Sequence, residues 1–221
     1  PYLCRFLDKC VVIPFGIDLR RFADIPARRA AAAALRDYHA PDGVPLLLFV
    51  GLLRYYKGVE YLIEAMRALP ARLLIVGKGP METELRMRTE QLGLRSKVVF
   101  LGRVPDEHLG DIYRASDIFV LPSTHRSESL GIAQMEAMAC GLPVICTELG
   151  TGTSYVNRHG ETGLVVPPRD ADALLTDPKQ RLEMGRRGRE RVEREFSAQV
   201  MVRKTLELYR ELLQAKPDES T

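Results

Sequence analysis

Leu46-Leu-Leu-Phe-Val-Gly-Leu-Leu-Arg-Tyr-Tyr-Lys-Gly-Val-Glu-Tyr-Leu-Ile-Glu-Ala-Met-Arg-Ala68 contains the unit from which the whole chain is built. An unbroken apolar run, 46–51, stops at a glycine. A polar loop follows, and then a segment of helical spacing, 59–68. Outward from this unit the alternation repeats. Apolar or β-branched runs at 11–14, 73–77, 97–101, 117–121, 143–147 and 164–166 read as strands. Segments of 3.6-residue period at 27–38, 81–93, 106–115, 129–140, 179–195 and 198–214 read as helices. Gly141 and Pro143 end the 129–140 helix before the next strand. The pattern predicts a Rossmann-like, three-layer α/β/α domain on a parallel sheet. In such sheets ligands gather at the carboxyl ends of the strands, so loops 51–58, 77–80, 102–105 and 122–131 should converge there.

A chain of 221 residues can bury one large core, and 46% hydrophobic with 28% charged residues is ordinary for a soluble globular protein. A net charge of +3, from 32 basic and 29 acidic residues, leaves no nucleic-acid footprint, although a slight basic excess is compatible with an anionic membrane surface. No run approaches a membrane span and no signal peptide opens the sequence, so the expected location is cytoplasmic, with contact at the inner face of the membrane as an option. The four cysteines, Cys4, Cys10, Cys140 and Cys146, lack metal-finger spacing and read as reduced thiols.

Glu128 and Glu136 stand eight residues apart across the start of the 129–140 segment. With the intervening residues helical they would lie about 12 Å apart along the axis, with the free N–H groups of a helix N-terminus near Glu128. Helix N-termini favour anions and carboxylates accept hydrogen bonds, so the layout suits a diphosphate flanked by two hydroxyl-rich rings. Lys57, just before a helix, adds a cation to that cradle. Each residue also has an ordinary reading: surface lysine, dipole-complementing glutamate, solvated helix face. Glu136 sits among Ile132, Met135, Ala137 and Ala139, which is no obvious polar face.

Taken in order and spacing, these pieces resemble the donor-binding C-terminal half of retaining GT-B glycosyltransferases, the group 1 (GT4) enzymes. The segments that carry the likeness are Val12 to Asp18, Phe49 to Gly58, Ile75 to Pro80, Phe100 to Val104, the glutamate pair, and Gly160 to Pro168. The resemblance implies a nucleotide-sugar donor, GDP- or UDP-linked, no other cofactor, no metal, and a glycan or lipid-linked acceptor. It implies that Lys57 neutralises the leaving diphosphate, that Glu128 holds sugar hydroxyls, and that Glu136 holds the ribose diol. Gly51, Gly77 and the backbone of Leu130, Gly131 and Ile132 would border the donor, and Arg103 and Val104 the base. It also implies an interdomain link and first strand over 1–20, a nucleotide-sugar domain over 21–196, a C-terminal helix and polar tail over 197–221, and an acceptor domain that is absent here. The run Leu149 to Asn157 looks most like mannosyl- or rhamnosyl-type members.

Three features depart from or compete with that pattern. The family commonly has an arginine where this chain has Leu52, so Arg54 is the substitute candidate, provided an extended backbone keeps 52 and 54 on one side. The segment between Asp170 and Leu175 is about two turns short. Gly77-Lys-Gly79 fails the dinucleotide pattern because position 82 is glutamate. Asp170-Ala-Asp172 reads as a helix cap before a metal motif, His125 as polar surface, and the basic stretch Lys179 to Arg194 as a solvated helix. The alternative class is a nucleotide-binding α/β module that kept the fold and lost the chemistry.

Overall fold

The computed structural model describes residues 2–168 and 177–214. Six parallel strands form one sheet in the order β3-β2-β1-β4-β5-β6. They are β1 Leu46–Val50, β2 Arg72–Val76, β3 Val98–Gly102, β4 Ile118–Leu121, β5 Val144–Thr147 and β6 Gly163–Val166. The helices are α1 Pro26–His39, α2 Val59–Ala65, α3 Glu82–Gln91, α4 Asp106–Ala115, α5 Ile132–Ala139, α6 Gly152–Val156, α7 Pro178–Glu195 and α8 Ala198–Gln214.

β1 is buried along its whole length because it is covered on both faces. Leu46, Leu48 and Val50 join one core with Tyr113, Met135 and Phe119, while Leu47 and Phe49 join the other with Ile63, Leu73 and Leu85. Successive side chains of a strand point to opposite faces, so only an unbroken apolar run can serve both layers. β1 pairs β2 from Leu46↔Arg72 to Val50↔Val76, and β4 at Leu47↔Ile118 and Leu48↔Phe119. The strands β1, β2 and β3 proceed outward on one side, and β4, β5 and β6 on the other. The order therefore reverses between β1 and β4, which makes a crevice at their carboxyl ends.

Several expectations are corrected. Residues 11–14 form no strand: Val11 and Val12 are 62% and 80% exposed, and β3 and β6 are the sheet edges. The opening segment is anchored farther on, where the Ile17 N–H donates to Phe196 O (2.8 Å) and the Ala198 N–H to Ile17 O (2.9 Å). An apolar run without a neighbouring strand to pair with gains no ladder, whatever its β propensity. Helix α5 begins at Ile132, not 129, because Gly131 precedes it at φ 69°. The span Glu128–Gly131 is thus not helical, and the spacing expected for a continuous helix does not apply. Helix α6 was not anticipated. Asp170 and Asp172, the shortened segment around them and the polar tail lie outside the described residues.

Helix α7 carries its charge as internal pairs: Arg186 and Arg187 with Glu183, and Arg189 with Glu193, at helical spacings. That is the solvated helix read from the sequence. Among the described residues no helix is long and apolar enough to cross a membrane.

Candidate functional site

The loops at the carboxyl ends of β1, β2, β3 and β4 are bound to one another through their backbones. Gly51 N–H donates to Val76 O (3.0 Å), Leu53 N–H to Lys78 O (3.0 Å), Gly77 N–H to Gly102 O (2.7 Å) and Thr124 N–H to Tyr56 O (2.8 Å). These contacts fix the loops that carry the candidate residues before any side chain takes part.

Lys57 leaves the loop after β1, and Glu128 the loop after β4, so the two meet across the crevice where the strand order reverses. The Lys57 Nζ lies 2.5 Å from Glu128 Oε2, and the Ser123 hydroxyl donates to the same oxygen at 3.0 Å. Only 12% of the Lys57 side chain and 8% of Glu128 are exposed, while Ser123 is fully buried. The ammonium also stands 5.5 Å from the Tyr56 ring centre, a cation–π distance. A pair removed from water this far is retained only when its geometry and extra hydrogen bonds offset the desolvation. Without a ligand, the cation and the carboxylate satisfy each other. An ammonium donates hydrogen bonds and an ionised carboxylate only accepts them, so the pair offers both kinds of group side by side.

Helix α5 starts beside this pair. Gly131 caps it without a side-chain hydrogen bond, and the Gln134 amide of the first turn folds back to donate to Leu130 O (2.8 Å) and Thr153 O (3.1 Å). Leu130 packs against the core while Ile132 is 44% exposed at the helix start. Glu136, one turn along, is half-buried and points to α4, where the Tyr113 hydroxyl donates to its Oε2 at 2.9 Å. Burial raises the Glu136 carboxyl above its ordinary range, while the Tyr113 hydrogen bond and the more distant Arg21 pull it back down. Arg21 in turn pairs with Asp106 at 2.8 Å.

The other candidates are more peripheral. Arg54 is exposed, in extended backbone (φ −118°, ψ 156°), and its side chain has no partner among the described residues. Leu52 is also exposed and Leu53 is fully buried, so positions 52 and 54 share the outer side of the loop. Arg103 is exposed beyond β3 and Val104 packs on the core. His125 folds onto Ser127, its Nδ1 accepting from the Ser127 N–H at 3.1 Å, and stays on the surface. Cys140 and Cys146 are free thiols pushed up to about 12 by burial. Among the described residues no group of three His, Cys, Asp or Glu side chains is arranged to hold a metal ion.

Two participants were missed from sequence, Ser123 and Tyr113. Ser123 follows the β4 apolar run in an unremarkable Pro-Ser-Thr turn. Tyr113 lies on the apolar face of α4, where it reads as core. Only the packing of α4 against α5 reveals the hydroxyl's target.

The family described as "Glycosyl transferases group 1" matches residues 33–193. The D-rhamnosyltransferase WbpZ of Pseudomonas aeruginosa is 41% identical over 203 residues, covering 89% of this chain and 52% of that protein. The O-antigen chain mannosyltransferase C of Escherichia coli is 36% identical over 221 residues, covering 97% of this chain and 58% of its own length. The structure of sucrose-phosphate synthase from Thermosynechococcus elongatus superposes with a TM-score of 0.80 at 34% identity, over 97% of this chain and 56% of that one. The chain spans about half the length of the curated relatives it matches. Matched across most of its residues by the family pattern, and folded as a solved relative is, the chain belongs to the glycosyl transferases group 1 family.

Proposed function

We propose that this chain is the nucleotide-sugar-binding half of a retaining hexosyltransferase, acting in the synthesis of a surface polysaccharide or glycolipid. The observation that carries the reading is the Lys57–Glu128 pair, held with Ser123 at the strand-order reversal beside the start of α5. Lys57 and the first-turn N–H groups of α5 neutralise the departing diphosphate. Glu128 orients the sugar through its hydroxyls, and Glu136 holds the ribose diol. The acceptor oxygen bonds to the anomeric carbon on the face the diphosphate leaves, and the acceptor's proton departs with the phosphate. Arg54, on the same outer side as Leu52, reaches the diphosphate from the loop rim. The backbone at Gly51, Gly77, Arg103 and Val104 borders the nucleotide.

Because the positive charge comes from Lys57, donor binding is independent of divalent metal. A mannosyl- or rhamnosyl-type donor, and hence a GDP-linked one, is favoured by the likeness to the rhamnosyltransferase of Pseudomonas aeruginosa and the mannosyltransferase of Escherichia coli. The acceptor is a glycan or lipid-linked sugar, met on the cytoplasmic side, with peripheral membrane contact through basic surface residues. Bringing two substrates together supplies much of the barrier reduction in group transfer, so the donor half by itself binds but does not transfer at full rate.

The test is calorimetry of this chain with UDP-, GDP- and ADP-sugars, with and without chelator. The expected result is one preferred nucleotide sugar, affinity unchanged by chelator, and about a tenfold or greater loss in Lys57→Ala, the scale of one charge-assisted contact. Binding that needs manganese, or that survives Lys57→Ala intact, refutes the proposal.

A further inference from the structure

Tyr113 is the only hydrogen-bond partner of the Glu136 carboxylate among the described residues. Its ring is completely buried on α4 and is gripped by aromatic neighbours on two sides. Phe22 stands edge-on at 6.1 Å and 76°, and Phe119 is tilted at 5.9 Å and 55°. A ring so enclosed cannot swing, so its hydroxyl is a fixed point. That hydroxyl faces two acceptors, Glu136 Oε2 at 2.9 Å and Ala133 O at 3.2 Å. It has one hydrogen to give, and the nearer, charged oxygen takes the stronger share. One carboxylate oxygen is therefore held, and Oε1 is left without a partner among the described residues. A glutamate side chain on a helix otherwise samples several rotamers, and fixing it at binding would cost affinity. The nearby charges add no comparable restraint, since Arg21 and Asp106 pair with each other.

We propose that Tyr113 is a positioning residue: it holds Glu136 so that the carboxylate meets a vicinal diol, and through that contact the site separates ribonucleotides from deoxyribonucleotides. The inference rests on the reading of Glu136 as the ribose contact. It adds a residue from a different helix, whose hydroxyl never touches the ligand, and makes sugar discrimination depend on it.

The experiment is calorimetry of the chain with GDP and UDP, each against its 2′-deoxy and 3′-deoxy form. The wild-type chain should bind the preferred ribonucleotide about tenfold tighter than at least one deoxy form, the scale of a hydrogen bond to a charged group. Tyr113→Phe should bring that ratio to about twofold while leaving the deoxy affinity unchanged, as expected when only orientation of the diol's acceptor is lost. The ratio is insensitive to partial unfolding, which scales both affinities alike. Tyr113→Met, which also lacks the hydroxyl but fills less of the ring's space, should lower the ratio in the same way. In a Glu136→Ala background, adding Tyr113→Phe should change nothing further. A wild-type ratio in Tyr113→Phe, or an equal loss for both sugars, overturns the positioning role. A wild-type chain that does not distinguish the two sugars overturns the ribose reading of Glu136 itself, a separate and recognisable result.

Discussion

Replacing Lys57 by methionine isolates the physical cost of the site's central pair. Methionine keeps much of the aliphatic stem and removes the ammonium that stands 5.5 Å from the Tyr56 ring centre. The Glu128 carboxylate then remains 8% exposed with only the Ser123 hydroxyl bound to it. Removing one partner of a buried ion pair costs about 3–5 kcal/mol, because the survivor stays buried without compensation. The pair is not completely shielded, so the low end, about 3 kcal/mol, is expected. For a chain of this length that corresponds to about a 6–12 °C fall in Tm. The double variant Lys57→Met/Glu128→Gln should regain most of it, since a neutral amide needs no counter-charge and still bonds to Ser123. Urea unfolding at pH 7, followed by circular dichroism, measures all three differences with the linear extrapolation. If Lys57→Met unfolds within about 0.5 kcal/mol of wild type, the ordinary scatter of surface substitutions, then the pair is not the buried contact described and the ligand-free site is open to water.

Gly58 has a left-handed backbone (φ 65°), and an added Cβ would stand 2.1 Å from Pro122 O, so Gly58→Ala should destabilise by about 2 kcal/mol or more and weaken nucleotide binding by displacing the Lys57 loop. The buried Arg191 guanidinium donates to Tyr155 O (2.7 Å) and Val156 O (3.0 Å) and pairs with Glu195 at 2.6 Å; Arg191→Met should cost about 3 kcal/mol in urea unfolding, and a change under about 1 would refute its role as the clamp on α6. Folded Cys140 and Cys146 ionise only near 12, against 9.0 for a free thiol, so iodoacetamide at pH 8 should leave both unmodified by residue-resolved mass spectrometry while labelling the exposed Cys10. The same raised values mean that these thiols contribute their full share of stability below about pH 9 and lose it as pH climbs toward 12, because the unfolded chain ionises first; flat stability across that range would count against their burial.

What was legible in the chain was whatever is encoded over a few neighbouring residues. The apolar run 46–51 followed by a helical period announces a buried strand and its crossover, and α4 and α8 run over the residues their periodicity marks out. The loops ending such units were expected to converge because strand ends in a parallel sheet lie on one side. Within them Lys57 and Glu128 stood out beside helix starts, and Arg54 through the family resemblance at Leu52. Non-local choices were not legible. The valines at 11 and 12 have the composition of a strand, yet a strand exists only where another lies alongside, and the sheet places its edges elsewhere. The helix expected from 129 is cut short by a left-handed glycine in a loop that must also bring Glu128 to Ser123. That Lys57 and Glu128, 71 positions apart, touch is a consequence of strand order, since β1 and β4 are neighbours in the sheet although two strands separate them in sequence. The same holds for Tyr113, whose pattern marks it for the core and whose hydroxyl acquires a purpose only when α5 packs against α4. Sequence sets which side chains each element presents; the pairing of elements, fixed by burial of the two core layers, decides which of them meet.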